Sequence, residues 1–218
     1  MTNQPLSLDQ LVFFKTHGYL ILRQILDPAL LARARARLWD AAPAAMRRDA
    51  PASWIGPIPK EAEDDSRENY QKGFRWQYRG IGDEPRMVEL LPKNQTLWGA
   101  AEQMLGAGRL VGPGGVRGIY CTLPYGDHPT SPDHCHVDAH PFHLGAVAYI
   151  DDVDPGGGGF RVWSGSHRRF YYDFQTAYQR EPNDRYAPDK AQIGAMPSVD
   201  CHGRAGDVVL WHHRIGHM

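Results

Sequence analysis

From Leu110 to its last residue the chain offers only short apolar runs, each closed by glycine, proline or a tight-turn cluster. The strand candidates there are Gly118–Leu123, His134–Asp138, Phe142–Ile150, Phe160–Trp163 and Asp207–His212, with turn clusters at Pro155–Gly159 and Ser164-Gly165-Ser166 between them. The helical signals come before this point. Ser7-Leu-Asp-Gln10 has the capping-box pattern for a short helix that Gly18 ends, and Gly18–Arg23 is β-prone. Asp27-Pro28 supplies an N-cap and an N1 proline for a second helix to about Asp40. Leu30, Leu31, Ala34 and Leu38 share one face of that helix, and a third helix near Gln95–Leu105 stops at Gly106. Helices first and strands afterwards, without β-α-β alternation, predict a mainly β chain with flanking helices, a sandwich, barrel or jelly roll.

The 23 glycines and 17 prolines agree with many short elements, and 218 residues suit one domain with a sizeable core. Within it, residues 1–40 read as a helix-strand-helix entry, 41–85 as a lid or insert and 108–218 as the β core. Pro43, Pro51, Pro57 and Pro59 interrupt regular structure in 41–85, Glu61–Asn69 is charged, and Trp54, Tyr70, Phe74, Trp76 and Tyr78 would give a lid an aromatic underside. A net charge of −1 without a basic run argues against nucleic acid or an anionic membrane surface. The longest near-continuous apolar stretch, Leu144–Ile150, is too short to span a bilayer. Three cysteines (Cys121, Cys135, Cys201) without a CxxC pair, and a polar start without a secretory pattern, lead us to expect a soluble, cytoplasmic protein.

Ten of the eleven histidines lie after position 127. The segment Asp133-His-Cys-His-Val-Asp-Ala-His140 concentrates them. On a strand, residues two apart share a face, so His136 and Asp138 can converge on one point. An imidazole and a carboxylate at that spacing are two members of a two-histidine, one-carboxylate facial triad, the donor set of non-haem Fe(II) with open positions. Trp211-His-His-Arg-Ile-Gly-His217 offers candidates for the third. His134 and His140 share the face of His136, so another selection is open. A cupin-type motif lacks its glutamate, and zinc on Cys135 lacks a partner cysteine, with Cys135 on the face opposite His136.

Several motifs in order resemble the phytanoyl-CoA dioxygenase family of Fe(II)/2-oxoglutarate-dependent oxygenases. Phe14-Lys-Thr-His-Gly-Tyr-Leu-Ile-Leu22 with Leu26-Asp-Pro28 is similar to the family's opening, and Met104-Leu-Gly106 to the helix end before its core. His136-Val-Asp138 stands where the family has HxD. Gly157-Gly-Gly-Phe-Arg-Val-Trp-Ser-Gly-Ser-His167 resembles its glycine-rich turn and strand end, and Gly206-Asp-Val-Val-Leu-Trp-His212 followed by His217 its last strand and distal histidine. The resemblance implies a double-stranded β-helix (a cupin-like jelly roll) with His136, Asp138 and His217 holding Fe(II). It also implies 2-oxoglutarate as co-substrate and molecular oxygen as oxidant, with hydroxylation or related oxidation of a small-molecule substrate. His212 and His213 are then strand histidines, and His167 a structural hydrogen-bonder at a turn. Trp163 is expected beside the metal pocket, with a core role and co-substrate contact both open to it, and Tyr120 and Thr122 are candidates for co-substrate contact. A carboxylate at Asp138, where the family's halogenases have a small residue, favours hydroxylation or desaturation. The family's arginine for the far carboxylate of 2-oxoglutarate would follow the distal histidine, but the sequence stops at Met218. We therefore expect an incomplete chain, or a substitute among Arg117, Arg161 and Arg214, or weak or absent co-substrate binding. The rival expectations are a metal-dependent jelly-roll enzyme that does not use 2-oxoglutarate and a non-catalytic metal-binding domain.

Overall fold

The computed structural model describes residues 5–112, 114–130, 134–140, 142–173 and 184–218. Asp133 of the histidine-rich segment lies outside the described residues. The chain forms two compact units, one from residues 1–25, 95–110 and 132–218, the other from 26–94 and 111–131.

The first unit opens with helix α1 (Leu8–His17), capped as expected: the Ser7 side chain accepts from the Gln10 amide, Gln10 answers at the Ser7 amide, and Gly18 ends the helix at φ +81°. His167 packs directly over Gly18, leaving no room for a β-carbon there. Strand β1 (Tyr19–Leu22) follows at once and later pairs with β8 (Val208–His212), which also pairs with β5 (Leu144–Ala148). All pairings in this three-stranded sheet are antiparallel, with Tyr19 and Gly145 flanking Trp211 on either side. After β8 the chain turns through His213–Ile215 and enters a second layer. There Gly216–Met218 run beside β6 (Arg161–Val162), with reciprocal bonds of 3.0 Å between Arg161 and Met218 and one of 2.8 Å from Trp163 N to Gly216 O. Strand β7 (Val199–Asp200) pairs with β6. The first unit also holds α4 (Gln95–Leu105), a short α5 (Ser166–Arg169) and α6 (Tyr186–Gly194).

One core cluster gathers Val209, Trp211 and Ile215 with Val162, Cys201 and Tyr149. A second gathers Cys135, Val137, Trp163, Phe170 and Ile193, with Tyr186 packed against it. Alternation along extended backbone explains the split: Val162 faces the first cluster and its neighbour Trp163 the second.

In the other unit, α2 (Pro28–Trp39) is capped by Asp27, whose carboxylate accepts from the Ala29 and Leu30 amides, and it buries Leu31, Ala34 and Leu38. It packs with α3 (Pro85–Leu90). The segment 41–85 holds more regular structure than its prolines suggest. Strands β2 (Asn69–Lys72) and β3 (Arg75–Tyr78) form a hairpin through Gly73-Phe74, with Gly73 at φ +57°, and β3 pairs with β4 (Ile119–Thr122). Trp76 and Tyr78 alternate into the interior, and the Trp76 indole donates to Asn69.

The architecture is thus three small antiparallel sheets together with six α-helices among the described residues. No helix among them is long and apolar enough to cross a membrane.

A methyl group on Gly145 would overlap the indole of Trp211. Gly145→Ala is therefore expected to destabilise the protein by about 1–3 kcal/mol through overpacking. Gly112→Ala, with nothing within 4 Å, should stay within about 0.5 kcal/mol. Urea denaturation of the two variants checks this.

Candidate metal centre

The site is assembled by one backbone pairing. His136 N donates to His217 O at 3.1 Å and His217 N to His136 O at 2.9 Å, an antiparallel bridge that sets the two residues directly opposite each other. Directly opposed residues send their side chains to the same face, and the two imidazole centroids are 4.4 Å apart. Asp138, two residues along, shares that face, and its Oδ1 lies 3.8 Å from Nε2 of both histidines. The three donor atoms fall within 4.8 Å of one another. Among the described residues this is the one grouping of His, Cys, Asp and Glu side chains with metal-site geometry. Cys135 and Val137 alternate to the other face and lie in the second core cluster, as their spacing predicts.

His217 has the most enclosed side chain of the three, 7% exposed against 20% for Asp138 and 42% for His136. The Trp211 ring lies 4.4 Å from the His217 ring and the Phe160 ring 5.4 Å. Burial pushes the His217 imidazolium down to about 4. The Ile215 carbonyl and Asp138 oppose that shift, and His136 adds to it. Nδ1 sits 3.0 Å from the Ile215 carbonyl oxygen. A neutral ring that donates there keeps its proton on Nδ1 and presents the Nε2 lone pair toward Asp138, the tautomer a metal ligand requires. Gly216 permits the close approach behind His217: a β-carbon there would press on Cys135, Phe170 and Ser166, and the Ser166 hydroxyl accepts the Gly216 amide at 2.8 Å.

Among the described residues, none of the other histidine candidates joins this cluster. His134 and His140 are exposed and outside the cluster, and His134 Nε2 faces Lys190 Nζ at 3.4 Å. Of the roles open to Trp163, the structure places it in the core, its indole donating to Met196 O at 3.0 Å. Tyr120 and Thr122 are exposed on β4 of the other unit, and the Tyr120 hydroxyl accepts from Arg79 at 3.3 Å. Arg117 is also exposed in that unit. Arg161 donates to Ser198 at 3.2 Å. Arg214 is buried, donating to His213 Nε2 and to Tyr171 O, both at 3.0 Å. His167 Nε2 meets Lys15 O at 3.2 Å, the structural hydrogen bond expected, but from within the short helix α5 rather than from a turn. Reading the sequence missed Trp211 as a wall of the site and Ser166 as the support behind Gly216. No spacing rule points to either, because both act through a pairing between distant segments.

The phytanoyl-CoA dioxygenase (PhyH) family matches residues 14–218. No curated protein matches the chain. Among solved structures, the non-haem α-ketoglutarate-dependent carbocyclase SnoK of nogalamycin biosynthesis is 19% identical. Its TM-score is 0.54, covering 98% of this chain and 77% of SnoK. The epimerase SnoN, solved with Fe3+, α-ketoglutarate and nogalamycin RO, is 17% identical with a TM-score of 0.55, over 96% of this chain and 75% of SnoN. EctD from S. alaskensis, solved with 2-oxoglutarate and 5-hydroxyectoine, is 17% identical with a TM-score of 0.52, over 100% of this chain and 71% of EctD. At these identities the likeness is one of fold. The chain belongs to the phytanoyl-CoA dioxygenase family. Membership and the His–Asp–His cluster together make it an oxidoreductase with a metal site of the iron/2-oxoglutarate kind.

Two further histidines must stay neutral for the fold. The Arg214 amide donates to His212 Nδ1 at 3.1 Å and the Arg214 guanidinium to His213 Nε2, so both ring nitrogens act as acceptors. Burial, with the neighbouring histidines and Arg214 adding to it, depresses His212 to about 4 and His213 to about 3. The unfolded chain protonates both near pH 6.5. It therefore binds more protons than the folded chain below that pH, and the stability present above pH 6.5 is lost as pH falls toward 4. The urea midpoint should drop between pH 7.5 and pH 5, and by less in a His213→Gln variant.

Proposed function

We propose that this chain is a non-haem Fe(II)/2-oxoglutarate-dependent dioxygenase with a double-stranded β-helix fold. It hydroxylates, or oxidises in a related way, an unactivated C–H of a small organic substrate. His136, Asp138 and His217 are the iron ligands in this reading. The observation that carries it is the convergence of two imidazole nitrogens and one carboxylate oxygen on one face, with mutual separations of 3.8 Å across Asp138. Cis ligands about 2.1 Å from a metal lie about 3 Å apart, so a closure of under about 1 Å between Asp138 and each histidine brings those pairs to the spacing of cis ligands. Two nitrogens and one oxygen are the donor chemistry of a facial iron triad.

Iron bound there supplies the redox chemistry that couples decarboxylation of 2-oxoglutarate to succinate with oxidation of a substrate carbon by molecular oxygen. The protein's own part is positional and electrostatic. His217 stays neutral and holds its Nε2 lone pair ready, oriented by Ile215. Asp138 contributes one negative charge against the two positive charges of a divalent ion. The excess positive charge favours an anionic co-substrate. Trp211 and Phe160 shield the His217 side from water. The structural relatives include a carbocyclase and an epimerase. Where the substrate carbon is held, more than the fold, therefore selects the outcome, with hydroxylation favoured by the carboxylate at Asp138.

Anaerobic titration of the apo-protein with Fe(II) and then 2-oxoglutarate tests the proposal. A visible metal-to-ligand charge-transfer band is expected in the wild type and absent in His136→Ala and Asp138→Ala. Both variants should lose more than the roughly 10–100-fold in metal affinity typical of changes outside the ligand set. Iron binding without the band would favour a metal-dependent enzyme that does not use 2-oxoglutarate. Absence of iron binding would overturn the ligand assignment.

A further inference from the structure

Among the described residues, the segment that carries two of the three metal-site residues has strand pairing along one edge and none along the other. His136 directs its amide and carbonyl to His217. In extended backbone the next residue directs its own to the opposite edge. There the Val137 amide donates to the hydroxyl oxygen of Tyr186, at 3.2 Å. Tyr186 opens α6, which is held in place independently of that bond. Asp189, 2% exposed, pairs with Arg169 of α5 at 2.6 Å, Ile193 packs with Cys135 and Val137, and the Tyr186 ring lies 5.8 Å from Phe170. A helix-borne phenol thus takes the place of a neighbouring strand at the amide between His136 and Asp138.

We propose that Tyr186 is a positioning residue for the metal centre. By fixing the Val137 amide it sets the backbone rotation that aims His136 and Asp138 at one point, so that less of this segment remains to be ordered when metal binds. The inference rests on the ligand assignment made above. Its logic is that of groups outside the ligand set, whose loss weakens metal binding by about 10–100-fold while the ligands themselves remain.

Titration of the apo-protein with Co(II), followed by visible absorption alongside thermal unfolding, tests it. Tyr186→Phe keeps the ring and removes the hydroxyl oxygen. Its Co(II) dissociation constant should rise about 10-fold with an altered d–d band, while the apo unfolding midpoint moves by no more than about 2–4 °C. Ile193→Ala thins the packing under α6 but keeps the phenol. It should lower the midpoint further, yet leave the dissociation constant within about twofold of wild type, well short of the outer-shell effect. The proposal is overturned if Tyr186→Phe binds Co(II) as wild type does, or if Ile193→Ala weakens binding as much as Tyr186→Phe. Wild-type affinity in His136→Ala would show instead that the ligand assignment is wrong, and the role of Tyr186 would fall with it.

Discussion

Two hydrogen bonds between His136 and His217 hold the centre of this protein together. They are ordinary strand bonds, each contributing about 1 kcal/mol net. Their consequence is geometric. They join the 134–138 segment to 216–218, which on its other side runs along β6. The same pairing fixes which residues face each core cluster: Val162 and His217 one way, Cys135, Val137 and Trp163 the other. A slip of one residue would exchange the faces, burying Asp138 among apolar side chains and moving Cys135 toward the solvent side.

The imidazoles around this pairing illustrate how burial and hydrogen bonding cooperate. His217, His212 and His213 are all depressed chiefly by desolvation, and each has a partner that fits the neutral ring. For His217 that partner is a carbonyl, which leaves Nε2 as the open nitrogen. For His212 and His213 the partners are donors on Arg214, which occupy the nitrogens a metal would need. Three histidines within six residues are thereby sorted by their partners into one available for coordination and two committed to the fold.

Much of this was legible in the residues because it depended on local chemistry. Ser7 with Gln10, Asp27 with Pro28, and Gly106 after Leu105 are signals contained within a few positions, and α1, α2 and α4 start or stop where they indicate. The HxD spacing was equally local. The hairpin of β2 and β3 was obscured because Asn69, Gln71 and Gln77 dilute the apolar alternation and prolines and charges crowd the approach to it. The helix α6 was obscured by Pro188 inside its first turn, a position that tolerates proline because no intrahelical amide is needed there. The placement of Trp163 could not be read, since it depends on whether Val162 or Trp163 lies opposite His217. Two segments distant in sequence decide that register, and neither reveals it alone.

The donor set spans a long stretch of chain, with His136 and Asp138 before β5 and His217 beyond β8. An ion held by these three side chains would close that stretch into a loop, acting on the unfolded ensemble as a reversible cross-link. The entropy removed by such a closure grows only logarithmically with loop length, so most of the effect comes from closing the loop at all. Occupancy of the metal site and persistence of the two sheets of the first unit are then linked quantities. Through that linkage, the availability of metal would help to determine how long the protein survives proteolysis as well as whether it can turn over.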